Sequence, residues 1–281
     1  MKIYNKSVPT EIINEIRLLV KDKEEFKNLD NTYIDIYIKK FFEQNFKKID
    51  NFSEKAIKQV VKFVRQRNRN SYGLFQKSVL KREELLQQLK KSDFKSEESL
   101  KIHAEILESH VSTLERLPYY CEFWEMINSF KPKSILDVGC GLNPLSIIYS
   151  DKHYKYYAVE KNKLDASYLN KYFKMYKIKG EAISFDVVSS YEQLKSYNVD
   201  ICLMLKVLDI FEDEIKNISY DIVNNLNCKY LVASFNLNVV SGKKLMKLKN
   251  RPWFEKLLQR LDWKYETKVI GLEVFYLCEK V

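Results

Sequence analysis

The stretch Ser134-Ile-Leu-Asp137-Val-Gly139-Cys140-Gly141-Leu-Asn143-Pro144 constrains this chain more than any other. Ser134 to Asp137 read as the end of a buried β-strand. Gly139 and Gly141 then make a turn whose backbone can lie close against a ligand. Asn143 is placed to cap the helix that follows, and Pro144 suits the first turn of that helix, where a missing N–H costs nothing. Strand, glycine turn and helix in this order make an α/β nucleotide-binding unit, with the ligand at the carboxyl end of the strand. An acidic residue, Glu160, closes the next apolar run, Tyr156-Tyr-Ala-Val159, about twenty residues on, where such folds bind a ribose hydroxyl pair. The third glycine of the dinucleotide fingerprint is missing, because Pro144 and Leu145 stand where it would fall. The pattern therefore favours a cofactor without phosphates.

Downstream the chain alternates as a doubly wound sheet requires. Strands are expected near 134–138, 155–159, 181–185, 199–205 and 229–235, with helices near 144–150, 163–177, 189–196 and 212–226. A last helix near 253–261 precedes two strands at 264–270 and 273–278. The sequence D-x-G-x-G followed by an acidic strand end resembles motifs I and II of class I S-adenosylmethionine-dependent methyltransferases, and the closing strand pair is similar to the end of their sheet. That resemblance implies a seven-stranded Rossmann-like α/β fold with S-adenosylmethionine at Asp137, Gly139, Cys140, Gly141, Asn143, Glu160, Asp186, Val187 and Leu205. Asp186 is placed to bond an adenine amino group, and it also reads as the cap of the next helix. Arg116, just upstream of the glycine motif, can pair with the carboxylate of the cofactor's methionine end, although its spacing suits an ordinary surface arginine as well.

Residues 10 to about 130 read as almost entirely helical. Ile12, Ile13, Ile16 and Val20 give one apolar face, the run from Tyr33 to Phe42 a second, and Ile57, Val60, Val61 and Val64 a third, with Ser53 as its cap. Gly73 marks a turn after that third helix. A polar joint at 91–98 divides a helical domain, 1–98, from the α/β domain, 99–281.

Charge is the informative feature of the first domain. The chain carries 48 Lys and Arg against 38 Asp and Glu, a formal net charge of +10. From Lys55 to Arg82 there is no acidic residue, while Lys58, Lys62, Arg65, Arg67, Arg69, Lys81 and Arg82 are among the basic ones. A solvated helix face normally mixes both signs, so a one-sign run of this length points to a phosphate backbone. No apolar run reaches the length of a membrane span and the N-terminus has no signal-peptide core, so a cytoplasmic protein is expected. The five cysteines are scattered and the three histidines stand apart from them. Neither a metal site nor a Cys–His nucleophile is indicated.

The run from Ile201 to Asp209 ends the fourth strand at the face where substrate would meet cofactor. It lacks the Pro-Pro-Tyr/Phe sequence of exocyclic-amine methyltransferases, and the chain has no Pro-Cys nucleophile of the pyrimidine C5 enzymes. A ring nitrogen with a free lone pair needs neither base nor covalent nucleophile, only positioning and electrostatics. Lys206, at the end of an otherwise apolar strand, is the residue expected to contact the target.

Together, Ser99-Leu-Lys-Ile-His103, Leu114-Glu-Arg116, the G-C-G-x-N-P-L of residues 139–145, Leu203-Met-Leu-Lys-Val-Leu208, Ala233-Ser-Phe235, Val240-Ser-Gly-Lys243 and Lys268-Val-Ile-Gly271 resemble the aminoglycoside-resistance 16S rRNA (guanine-N7) methyltransferases of the Arm/Rmt type. The resemblance implies a monomer whose helical domain docks on the 30S subunit and which methylates N7 of the guanine at position 1405, in helix 44 of 16S rRNA. It also implies that Lys206, Ser241 and Lys243 lie near the target base. Glu160 stands where the family more often has aspartate, Asp209 where proline is usual, and Asn236 closes a Ser-Phe-Pro position. Two other readings stay open: methylation of another site, such as an adenine N1 of rRNA or a tRNA, and a non-catalytic RNA-binding protein that keeps the fold.

Overall fold

The computed structural model describes residues 2–3, 6–27, 31–45, 52–71, 81–241, 244–247 and 250–281. The chain separates into two units, Met1–Gln76 and Lys77–Val281.

The first unit opens with a short antiparallel pair, β1 (Lys2–Ile3) and β2 (Lys6–Ser7). Three helices follow: α1 (Thr10–Lys21), α2 (Asn31–Asn45) and α3 (Glu54–Ser71). Their apolar stripes recur at helical spacing and close on one another. Ile13, Ile16 and Val20 of α1 meet Ile34, Tyr37, Ile38, Phe41 and Phe42 of α2, and Ile57, Val60, Val61 and Val64 of α3. Ser53 begins α3 as expected, its Oγ accepting from the Ala56 N–H at 3.3 Å. Arg17 Nε donates to Asp35 Oδ1 at 2.8 Å and ties α1 to α2.

In the second unit α4 (Arg82–Leu89), α5 (Glu97–Glu108), α6 (Val111–Arg116) and α7 (Tyr120–Ser129) lead into β3 (Ser134–Val138). The doubly wound part then runs through a 3-10 helix (Asn143–Tyr149), β4 (Lys155–Val159), α8 (Lys163–Met175), β5 (Lys179–Ile183), α9 (Val187–Ser190) and β6 (Val199–Leu205). It continues with α10 (Leu208–Glu214), α11 (Ile218–Asn224) and β7 (Cys228–Asn236). A hairpin of β8 (Asn238–Ser241) and β9 (Lys244–Lys247), which the sequence did not announce, precedes α12 (Pro252–Arg260), β10 (Trp263–Ile270) and β11 (Glu273–Lys280).

The main sheet has seven strands in the order β10-β11-β7-β6-β3-β4-β5. β3 to β7 pair in parallel, and β11 runs antiparallel between β7 and β10. Parallel strands covered on both faces must be apolar throughout, which is why Ile201-Cys-Leu-Met-Leu205 and Leu231-Val-Ala233 were readable as strands. The segment 212–226 is two helices and not one, because Asn217 takes a left-handed conformation (φ 64°) between them.

The unit boundary lies between Gln76 and Lys77, not between 98 and 99 as the sequence suggested. The reason is packing. Leu85, Leu86 and Leu89 of α4 share a core with Ile102, Ile106, Tyr168 and Tyr172. The 91–98 joint is a turn inside the larger unit. Among the described residues no helix is long and apolar enough to cross a membrane, and no group of His, Cys, Asp and Glu is placed to hold a metal ion.

Candidate active site

The strand order reverses beside β3, which pairs in parallel with β4 on one side and β6 on the other. The crevice of such a sheet lies beyond the carboxyl ends of these strands. Gly139 and Gly141, with φ of 66° and 51°, carry the chain around its floor. A Cβ on Gly139 would stand 2.7 Å from Val207 Cγ1, and one on Gly141 2.8 Å from His110 Nε2. Only glycine fits either position. The Gly139 and Cys140 N–H groups both donate to Val159 O, at 2.9 and 3.1 Å, and pin the turn to the end of β4.

Glu160 is buried beside that turn. Its Oε2 accepts from the Gly141 N–H and its Oε1 from the Asn162 N–H, each at 3.0 Å. A carboxylate has about four acceptor positions, so room remains for a diol. Burial, and then the nearby Asp165, push the Glu160 carboxyl up to about 7. Asp137, wholly buried, accepts at Oδ2 from Asn143 Nδ2 (2.9 Å) and Tyr156 OH (2.7 Å), while its Oδ1 has no hydrogen-bond partner. Burial raises this carboxyl to about 6. A buried acceptor left open at the floor of a crevice suits a ligand donor. Asp186 caps α9, its Oδ1 accepting from the Val188 N–H at 3.0 Å. Val187 and Leu205 are buried apolar wall. Cys140 is packed into the core, where burial holds its thiol well above the usual range.

Asn143 corrects an expectation. It does not cap the following helix, which is a 3-10 turn with Leu142 at its cap. Its amide instead joins Asp137 to Arg116, donating to the first and accepting from Arg116 Nη1 at 3.2 Å and Tyr120 OH at 3.2 Å. Arg116 is no surface arginine, since it is 2% exposed. Its Nε and Nη2 form a fork on Glu273 at 3.1 and 2.8 Å.

Lys206 is also drawn inward. Its backbone lies in the left-handed region (φ 59°), uncommon for a residue with a side chain and worth roughly 1–2 kcal/mol of strain. Its ammonium donates to Glu115 and lies 3.3 Å from Glu273 Oε1. Ser234 Oγ of β7 donates to Glu273 Oε2 at 2.7 Å. Burial alone would raise the Glu273 carboxyl, but Arg116 and Lys206 outweigh it and hold it below the ordinary carboxylate value. Half-buried His110 is pushed down to about 3 by the desolvation of its ring and then by the charges of Arg82, Arg116 and Lys206, and stays a neutral imidazole. Sequence reasoning missed Glu115, Ser234, Glu273 and His110. Of these only Glu115 and Ser234 stood inside quoted motifs.

The basic run resolves into two kinds of residue. Lys58 and Lys62 are exposed on α3, with Lys58 bonded to Glu54, and Lys81 is exposed before α4. Arg65 caps α1 instead, donating to Leu19 O and, at 3.4 Å, to Val20 O. Arg67 lies over the Phe63 ring at 5.3 Å. Arg82 is an internal ion pair, 2% exposed, with Nε on Ser109 Oγ at 2.9 Å and Nη1 on Asp165 Oδ1 at 3.0 Å. It is removed from the candidate RNA contacts. Lys243 and the side chains of Arg69 and Ser241 lie outside the described residues.

With this geometry in hand, three kinds of likeness bear on the chain. The model of the FmrO family of ribosomal RNA methyltransferases matches residues 79–277. Over 174 residues the chain is 25% identical to the 16S rRNA (guanine(1405)-N(7))-methyltransferase of Micromonospora echinospora, a match covering 61% of this chain and 63% of that enzyme. Over 176 residues it is 26% identical to the enzyme of the same name from Serratia marcescens, covering 62% and 68%. The curated Micromonospora relative is thus spanned over less than two thirds of its length. The crystal structure of the 16S rRNA methyltransferase RmtF in complex with S-adenosyl-L-homocysteine superposes with a TM-score of 0.77 at 18% identity, over 98% of this chain and all of that one, and shares its fold. With the match reaching from α4 into β11, the chain belongs to the FmrO family of ribosomal RNA methyltransferases.

Proposed function

We propose that this protein is an S-adenosylmethionine-dependent methyltransferase that modifies guanine N7 in 16S rRNA of the small ribosomal subunit. The observation that carries this reading is the pair of polar clusters at the carboxyl ends of the parallel strands, one at β3 and β4 and one at β6. The first offers Glu160 for a diol and the open Asp137 Oδ1; the second ends in Lys206, held in a strained backbone by two carboxylates. The guanine-1405 N7 activity of the Micromonospora and Serratia relatives supports the choice of target.

In this reading Glu160 takes the ribose hydroxyls, Asp186 and the walls at Val187 and Leu205 take the adenine, and Arg116 keeps N–H donors for the cofactor's carboxylate beyond the three spent on Glu273 and Asn143. S-adenosylmethionine supplies an electrophilic methyl group on a sulfonium. Guanine N7 already carries its lone pair, so the chain's residues have only to bind, orient and exclude water. Lys206 orients the target nucleotide, together with Ser241 and Lys243, the other two residues that the resemblance sets near the base. Lys58, Lys62, Arg67, Arg69 and Lys81 meet RNA phosphates and hold the protein on the assembled 30S particle, as a monomer in the compartment that holds ribosomes. The methylated guanine would obstruct 4,6-disubstituted deoxystreptamine aminoglycosides, so expression in a susceptible bacterium should raise resistance to that class.

Transfer of labelled methyl groups from S-adenosylmethionine tests the reading. Purified 30S subunits, free 16S rRNA and tRNA are supplied in parallel, and label is expected in the 30S sample alone. Label in tRNA, or in none of the three, would overturn it.

A further inference from the structure

The carboxylate at the centre of the active face comes from the far end of the chain. Glu273 is the first residue of β11, is 2% exposed, and is bonded from three directions. Arg116 of α6 forks onto it, Ser234 of β7 donates to it, and the Lys206 ammonium at the end of β6 lies 3.3 Å away. Arg116 and Lys206 thus share one buried carboxylate, with Glu115 as a second partner for the lysine. Asn143 continues the chain of bonds from Arg116 to Asp137 at the floor of the crevice. Two cations this close repel each other strongly where water is excluded, and removing one carboxylate would leave the local charge more positive by one.

We propose that Glu273 is the positioning carboxylate of the active face: it holds Arg116 and Lys206 side by side and cancels charge that would otherwise oppose the cationic sulfonium of the cofactor. The proposal rests on the methyltransferase reading, and it concerns a residue that touches neither cofactor nor base in that reading. Its signature is a difference between two ligands. S-adenosylmethionine carries the sulfonium charge and S-adenosylhomocysteine does not, while both share the carboxylate, ribose and adenine. Any purely structural loss at Glu273 falls on both alike, and the charge effect falls on one.

Calorimetric titration of both ligands onto the 281-residue chain tests this, with melting temperatures to establish folding. Glu273→Gln should lower the affinity for S-adenosylmethionine relative to S-adenosylhomocysteine by about tenfold, the effect of one unit charge at roughly 10 Å in a partly polar medium. Glu273→Asp keeps the charge and should keep the ratio. Lys206→Met removes one of the two cations and should move the ratio the other way. An unchanged ratio in Glu273→Gln overturns the proposal, as does an equal fall in Glu273→Asp. If Glu273→Gln does not fold, Lys206→Met decides, and an unchanged ratio there overturns it. Wild-type protein that binds neither ligand would instead sink the methyltransferase reading itself.

Discussion

Glu160 is where residue-level chemistry makes the sharpest demand. A carboxyl raised on folding favours the folded state while protonated. Its contribution is full below the ordinary value of 4.5 and is lost as pH rises through about 7; Asp137 behaves likewise between 3.8 and about 6. The unliganded protein should therefore melt higher at pH 5 than at pH 8, and Glu160→Gln should narrow the difference. Cofactor affinity should run the opposite way, because a ribose diol donates to the ionised carboxylate. Titrations from pH 8 down to pH 6 should show weakening of up to about tenfold per unit below 7. An affinity that is flat with pH and unchanged in Glu160→Gln would remove this residue from the ribose. Asp137 drew attention as the acidic end of an apolar run just before the glycine turn, and Glu160 as the acidic end of the next apolar run. Glu273 was not legible, since it meets Arg116 from 157 residues away and no local pattern announces such a pair.

At the scale of elements, the basic run divides between structure and surface. Arg82 anchors α4 on α8 through Asp165, and removing one partner of a buried pair leaves the other charge uncompensated. Arg82→Ala should cost about 3–5 kcal/mol in denaturant unfolding of the larger unit; a loss within the range of ordinary surface substitutions would contradict the buried pair. Arg65→Ala removes a donor to the last carbonyls of α1 and should destabilise the helical unit by about 1 kcal/mol. Lys58→Ala with Lys62→Ala should leave the melting temperature alone, weaken 30S binding and reduce its salt slope by about one per lysine. A slope equal to wild type would take both off the RNA. Sequence periodicity gave the first three helices their apolar faces, but it does not say which core the leucines of α4 join. That is why the boundary was expected at 98 and stands at 76. A run of one sign likewise does not reveal which arginines turn inward to cap a helix or pair with a carboxylate.

For the whole molecule, the order of strands follows from an alternation visible in the sequence, and the crevice follows from the order. What the alternation leaves open is the target. The face built by β3, β6, β7 and the start of β11 holds its two cations on carboxylates, and a nucleophile that needs no deprotonation is the substrate such a face suits. Borohydride–aniline cleavage cuts RNA at 7-methylguanine and so reads that claim directly. After reaction of the protein with S-adenosylmethionine and 30S subunits, a single new cut in helix 44 of 16S rRNA, at guanine 1405, is the predicted result. Methyl label in the subunit without cleavage would contradict it and move the reaction to another atom.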